Sequence, residues 1–126
     1  MSVNFKAVPK KNPQLPAEPP KFYAHLVSTG DLTLRQLAKQ IAARSTVSAA
    51  DTLAVLESLL EVIPESLADG KIVRLGDFGS FSLTASSEGM VEAKDLTSNQ
   101  IKKLTVKFRP GKEFSQQIDN AKIEKV

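Results

Sequence analysis

Leu53, Leu56, Leu59, Leu60, Ile63 and Leu67 recur at helical spacing. They lay one wide apolar stripe along a single helix. Water does not tolerate such a stripe uncovered, so it constrains everything else the chain can do. The chain has 126 residues, room for one domain with a modest core. The stripe is wide for that size. Either the chain's own strands and C-terminal helix cover it, or a second subunit does. Ser48-Ala49-Ala50-Asp51 has the spacing of a capping box at the start of this helix. Gly70 is placed to end it. Pro64 cannot donate to the Leu60 carbonyl, so a kink or a detached last turn is expected there.

The other elements follow from the same rules. Thr33-Leu34-Arg35-Gln36 is a second capping box, opening a helix that runs to about Arg44. The two helices form a helix–turn–helix-like pair, a shape common in proteins that never touch DNA. Ile72–Leu75 reads as a strand, Gly76–Gly79 as a turn, and Ser80–Thr84 as a strand with Phe81 and Leu83 on one face. Residues 85–95 are small or acidic and read as a loop. A third capping box, Thr97–Gln100, predicts a short helix through about Lys103, followed by a strand from Leu104 to Phe108. Pro110-Gly111 ends that strand, and Lys112–Ala121 reads as a final helix. At the other end of the chain, Val3–Val8 alternates as a strand that Pro9 is expected to stop. Five prolines then make residues 9–20 an extended connector, before a strand at Phe22–Val27. The expected organisation is α+β, with an N-terminal extension over 1–30 and a second domain over 31–126.

Composition excludes several classes. There is no cysteine, hence no disulfide and no thiolate metal site. No apolar run has the length of a membrane span. The opening MSVNFKAVPKKNPQ lacks a secretory apolar core, so a cytoplasmic protein is expected. The single histidine, His25, sits in a strand-like segment, where it is more often packed or solvated than catalytic. Glu57, Glu61 and Glu65 share a helix face without any other ligand type beside them, which reads as a solvated face. No nucleophile or phosphate-loop motif is present. A non-enzyme without cofactor or small-molecule substrate is expected.

The net charge is only +3, but it is unevenly placed. Residues 31–70 hold three basic against six acidic residues, a net of −3; residues 101–126 hold seven against three, a net of +4. A basic part of this kind attracts phosphate polyanions. It centres on "VKFRPGKEF", Val106–Phe114, where a basic turn joins a strand to a helix. Lys107 and Arg109 share a strand face. Helix starts favour anions, so Gly111 and Lys112 join them as candidates, with Lys102 and Lys103 just upstream. Either these cations contact phosphate, or Arg109 and Lys112 pair with Glu113 or Asp119.

Two motifs decide the resemblance: "GDFGSF" at Gly76–Phe81 and "FRPGK" at Phe108–Lys112. In this order and at this separation they resemble those of the HU/IHF family of bacterial DNA-bending proteins, over about residues 33–121. The extra N-terminal segment is similar to that of HU-related proteins of Bacteroidetes. The resemblance implies a fold of two N-terminal helices, an antiparallel β saddle and a short C-terminal helix. It also implies an intertwined homodimer and double-stranded DNA as partner in the nucleoid. Arg109 and Lys112 match its DNA-facing positions. The implied site is Arg74, Lys102, Lys103, Lys107, Arg109, Gly111 and Lys112. Two departures stand out. Asp77 replaces a glycine whose backbone approaches phosphate in the family, and a carboxylate there repels phosphate unless Arg74 or another cation neutralises it. The family's intercalating R-N-P-x-T-G arm is absent: Ser82–Lys107 contains no proline and carries Glu88, Glu92 and Asp95. Two functions are therefore open: DNA binding without sequence preference and without the arm, or a module of the same fold turned to protein partners.

Overall fold

The computed structural model describes residues 2–126. The chain forms two compact units, one made of residues up to Thr33 together with Gln117–Val126, the other of Leu34–Gln116.

In the first unit β1 (Val3–Lys10) and β2 (Lys21–Val27) form an antiparallel hairpin, in register from Asn4↔Val27 to Lys10↔Lys21. The proline-rich stretch is thus a hairpin loop and not a free connector. Pro9 does not stop β1, contrary to expectation; it pairs with Phe22 inside the ladder. The third strand of this sheet explains why. β6 (Ile123–Lys125) runs parallel to β1 but reaches only Val3–Phe5. Beyond Phe5 one side of β1 is an open edge, where a residue without an N–H is tolerated. β6 itself lies where no strand was expected. The last helix, α3 (Lys112–Asp119), accordingly ends at Asp119 instead of Ala121.

The second unit starts with α1 (Leu34–Ala43) and α2 (Ala49–Ala68), packed on each other. The Ser48 hydroxyl accepts from the Asp51 amide at 3.1 Å, an N-cap worth about 1 kcal/mol. At the other end the Lys71 amide donates to the Ser66 carbonyl and the Gly70 amide to the Leu67 carbonyl. Gly70 adopts φ +82°, which a side chain would strain. α2 runs through Pro64 as one helix, so no last turn is split off.

β3 (Val73–Arg74), β4 (Gly79–Ser87) and β5 (Ile101–Pro110) make the second sheet, in that order and antiparallel. The helix expected through Lys103 is a single tight turn at Ser98–Gln100. Its capping box is complete, with the Thr97 amide donating to Gln100 Oε1 at 2.7 Å. One turn suffices because the β4 ladder claims the backbone from Ile101 onward, opposite Ser87. β4 and β5 therefore form a paired ribbon, shifted in register between Ser86 and Ser87.

The core of this unit is thin. Among the described residues the only buried side chains are those of Ala38, Thr52 and Leu67, and the one other buried position is Gly79. Leu60, Leu104 and Val106 remain 63%, 59% and 58% exposed. They line an apolar cleft of about 470 Å³ between α2 and the sheet, together with Ile63, Phe81 and Leu83. The stripe is thus only half covered by the strands of its own chain. Four phenylalanines form a cluster of ring contacts. Phe108 meets Phe81 at 4.9 Å, Phe78 at 5.6 Å and Phe114 at 6.0 Å between ring centroids. The two edge-to-face pairs of Phe108, with Phe78 and Phe114, add about 0.5–1.5 kcal/mol each beyond burial. They clamp the Gly76–Phe78 turn, the end of β5 and the start of α3 (Lys112–Asp119) together. No helix of the described residues is long and apolar enough to cross a membrane.

Candidate nucleic-acid interface

Strand alternation sorts the second sheet into two faces. Val73, Phe81, Leu83, Val106 and Phe108 share the apolar one. On the other face the register sets Arg74 opposite Ser80, and Ser80 opposite Arg109. Two arginines on the outer strands thus flank a serine on the middle one. Strand spacing puts their backbones about 10 Å apart. Lys107 stands opposite Ser82, and Thr105 opposite Thr84. Arg74, Lys107 and Arg109 line one shallow groove of about 260 Å³ with Ser80, Ser82 and Thr84. Arg74 and Arg109 also line an adjoining groove of about 240 Å³ whose floor is Gly76, Gly79 and Gly111. Among the described residues, Arg74, Lys107, Arg109 and Lys112 enter no salt bridge, so the pairing of Arg109 or Lys112 with Glu113 or Asp119 does not form. All four are exposed.

The remaining expected residues are placed differently. Lys103 stands opposite Ser86, further along the ribbon on the face of Lys107 and Arg109. Lys102 falls at the register shift, and its Nζ lies 3.7 Å from Glu88. Both side chains are well exposed, so this pair contributes little to stability, but it draws Lys102 toward the ribbon tip. Lys112 opens α3, just past the sheet. The Gly111 amide is not available to an anion: it donates to the Phe78 carbonyl at 3.0 Å. Gly111 is needed for another reason, since a Cβ there would collide with the Asp77 carbonyl oxygen. Asp77 itself is exposed and pairs with no cation among the described residues, so Arg74 does not neutralise it. Two of the three ribbon-tip acids are paired, Glu88 with Lys102 and Glu92 with Lys94 at 3.1 Å.

The hydroxyl residues on the basic face, Ser80, Ser82 and Thr84, are absent from the expected site. Their period-two alternation with Phe81 and Leu83 was the available signal. Hydroxyls between cations can donate to phosphate oxygens without reading bases.

Residues 1–125 match the HU-HIG family, described as an HU domain fused to a wHTH, Ig or glycine-rich motif. Integration host factor subunit beta of Marinobacter nauticus is 31% identical over 97 residues, covering 71% of this chain and 95% of that protein. DNA-binding protein HU of Thermotoga maritima is 27% identical over 93 residues, covering 69% and 99%. A crystal structure of a candidate DNA-binding protein from Bacteroides vulgatus superposes with a TM-score of 0.64 over 98% of this chain at 14% identity. That likeness is one of fold, and this chain spans about half of that structure, 48%.

Proposed function

This chain belongs to the HU/IHF family of bacterial DNA-binding proteins, and from that membership we propose that it binds double-stranded DNA without reading its sequence. The observation that carries the reading is the basic, hydroxyl-rich face of the second sheet. Arg74, Lys107 and Arg109 line its groove and enter no salt bridge among the described residues. Lys103 and Lys112 flank them, and Ser80, Ser82 and Thr84 supply hydroxyl donors between. The cations and hydroxyls of this face suit phosphate oxygens, with the apolar Ile72 beside them in the groove, and binding gains from counterion release. Gly111 serves by close packing and not by holding phosphate.

The working form is a homodimer. The half-covered cleft of α2, β4 and β5 leaves Leu60, Leu104 and Val106 for a second copy to bury. Dimerisation doubles the cationic face. The ribbon tip carries no proline wedge, so the contact is with the backbone and base steps stay stacked. The place of action is the nucleoid, in the cytoplasm.

The test is fluorescence anisotropy of a labelled random-sequence duplex between about 50 and 200 mM salt. The wild-type chain should bind at low salt and lose affinity steeply. The R74Q/R109Q variant should lose about 1.8 from the slope of log K against log salt per protomer, at about 0.9 per phosphate contact. An absence of binding by the wild-type chain at low salt would refute the reading and leave a fold used for protein contacts.

A further inference from the structure

The hairpin of the first unit is also sorted by its pleat. Phe5, Ala7, Phe22, Ala24 and Leu26 share one face. The other carries Lys6 opposite His25, Val8 opposite Tyr23, and Lys10 opposite Lys21. Lys6, Lys10, Lys21 and His25 are exposed, and Tyr23 is 51% exposed. The Lys10 ammonium lies 5.9 Å from the Tyr23 ring centroid, diagonally across the strands, which confirms the shared face. Lys11 follows at the turn, and with Lys10, Lys21 and Tyr23 it lines a cleft of about 450 Å³.

Two acids lie nearby. Glu18 lines the same cleft, and Glu124 stands beside Asn4 at the far end of the sheet. Neither forms a salt bridge with a hairpin lysine among the described residues. Like charges directly opposite on a sheet repel, and Lys10 facing Lys21 has the Tyr23 ring nearby but no ion pair among the described residues. An anion between them removes that repulsion. Lys6 and Lys10 lie four residues apart, about 13 Å along the strand. That is an extended row of cations, matched to a polyanion and not to a single small ion.

We propose that this face of the β1–β2 hairpin is a second docking surface for the phosphodiester backbone of nucleic acid, built from Lys6, Lys10, Lys11 and Lys21 with Tyr23 beside them. It is distinct from the face of the second sheet and does not depend on that site binding DNA. Binding there is electrostatic and independent of sequence.

The test compares full-length variants by anisotropy against salt, on a duplex and on a single strand of the same length. K6Q/K10Q/K21Q should lower the slope on at least one probe by up to about 2.7 per protomer, three contacts at about 0.9 each. K6R/K10R/K21R should restore it, which excludes a folding defect. A loss on duplex or on single strand alone identifies the source of the backbone, and either supports the surface. R74Q/R109Q, run in parallel, separates the two sites. If it lowers the slope and the hairpin variant does not on either probe, the hairpin surface is overturned and the sheet face stands. If only the hairpin variant lowers it, the hairpin surface stands and the sheet face falls.

Discussion

Replacing Gly111 by alanine tests the joint on which the candidate interface is built. A Cβ at this position would collide with the Asp77 carbonyl oxygen and lie 2.6 Å from its carbonyl carbon and 3.2 Å from its Cα. All three are atoms of backbone, so no side chain can swing aside. The Gly76–Phe78 turn must move, and overpacking of this kind costs about 1–3 kcal/mol. The move also stretches the 3.0 Å bond from the Gly111 amide to the Phe78 carbonyl, for about 1 kcal/mol more. A less flexible unfolded chain returns about 0.4–1 kcal/mol. The net is about 2 kcal/mol of destabilisation. At about 3–5 °C per kcal/mol, between the values for smaller and larger domains, Tm should fall by about 6–10 °C. Thermal unfolding followed by circular dichroism reads this at one fixed protein concentration, because dimerisation makes Tm concentration-dependent. Gly89→Ala is the control. Its Cβ would meet nothing within 4 Å, so its Tm should stay close to the wild-type value. If Gly111→Ala melts with Gly89→Ala, the turn and the end of β5 are not in contact, and the shape of the basic groove collapses as an argument.

Two further substitutions probe the core and the cleft. Leu67→Ala removes the largest buried apolar side chain, 3% exposed, and should cost about 2–4 kcal/mol in chemical denaturation; a loss below about 1 kcal/mol would show that α2 is not anchored there. Val106→Asp changes a residue that is 58% exposed within one chain. Were that the working state, it would cost little; with a second copy over the cleft, it should abolish the dimer in sedimentation velocity, and an intact dimer would place the subunit contact elsewhere.

The helices α1 and α2 were legible because each carries its own local signals. Ser48 caps α2 and Gly70 ends it at the positions their chemistry demands. Where a second segment decides, the sequence is silent. Thr97–Gln100 has a sound capping box, yet it yields one turn because Ile101 is already bound to the β4 ladder. Ile123–Lys125 is too short to show a period, and only its pairing with Val3–Phe5 makes it a strand. Of the interface, the charged residues were legible as a basic cluster. The grouping of Arg74 with Lys107 and Arg109 required the three-strand register, since Arg74 lies far from them in the chain. The engaged Gly111 amide was also out of reach, because its partner, Phe78, belongs to a distant turn.

The parallel pairing of Val3 with Ile123 bears on the order in which a growing chain can assemble. The hairpin from Lys10↔Lys21 outward is local and can close early. Residues 34–116 form a compact unit whose contacts do not require Ile123–Lys125. The first sheet cannot close early: its third strand, Ile123–Lys125, follows its partner, Val3–Phe5, at a long separation in the chain. Contacts that span so much of the chain close slowly. Until they do, the Val3–Phe5 edge stays open to any other strand, including the same segment of a neighbouring nascent chain.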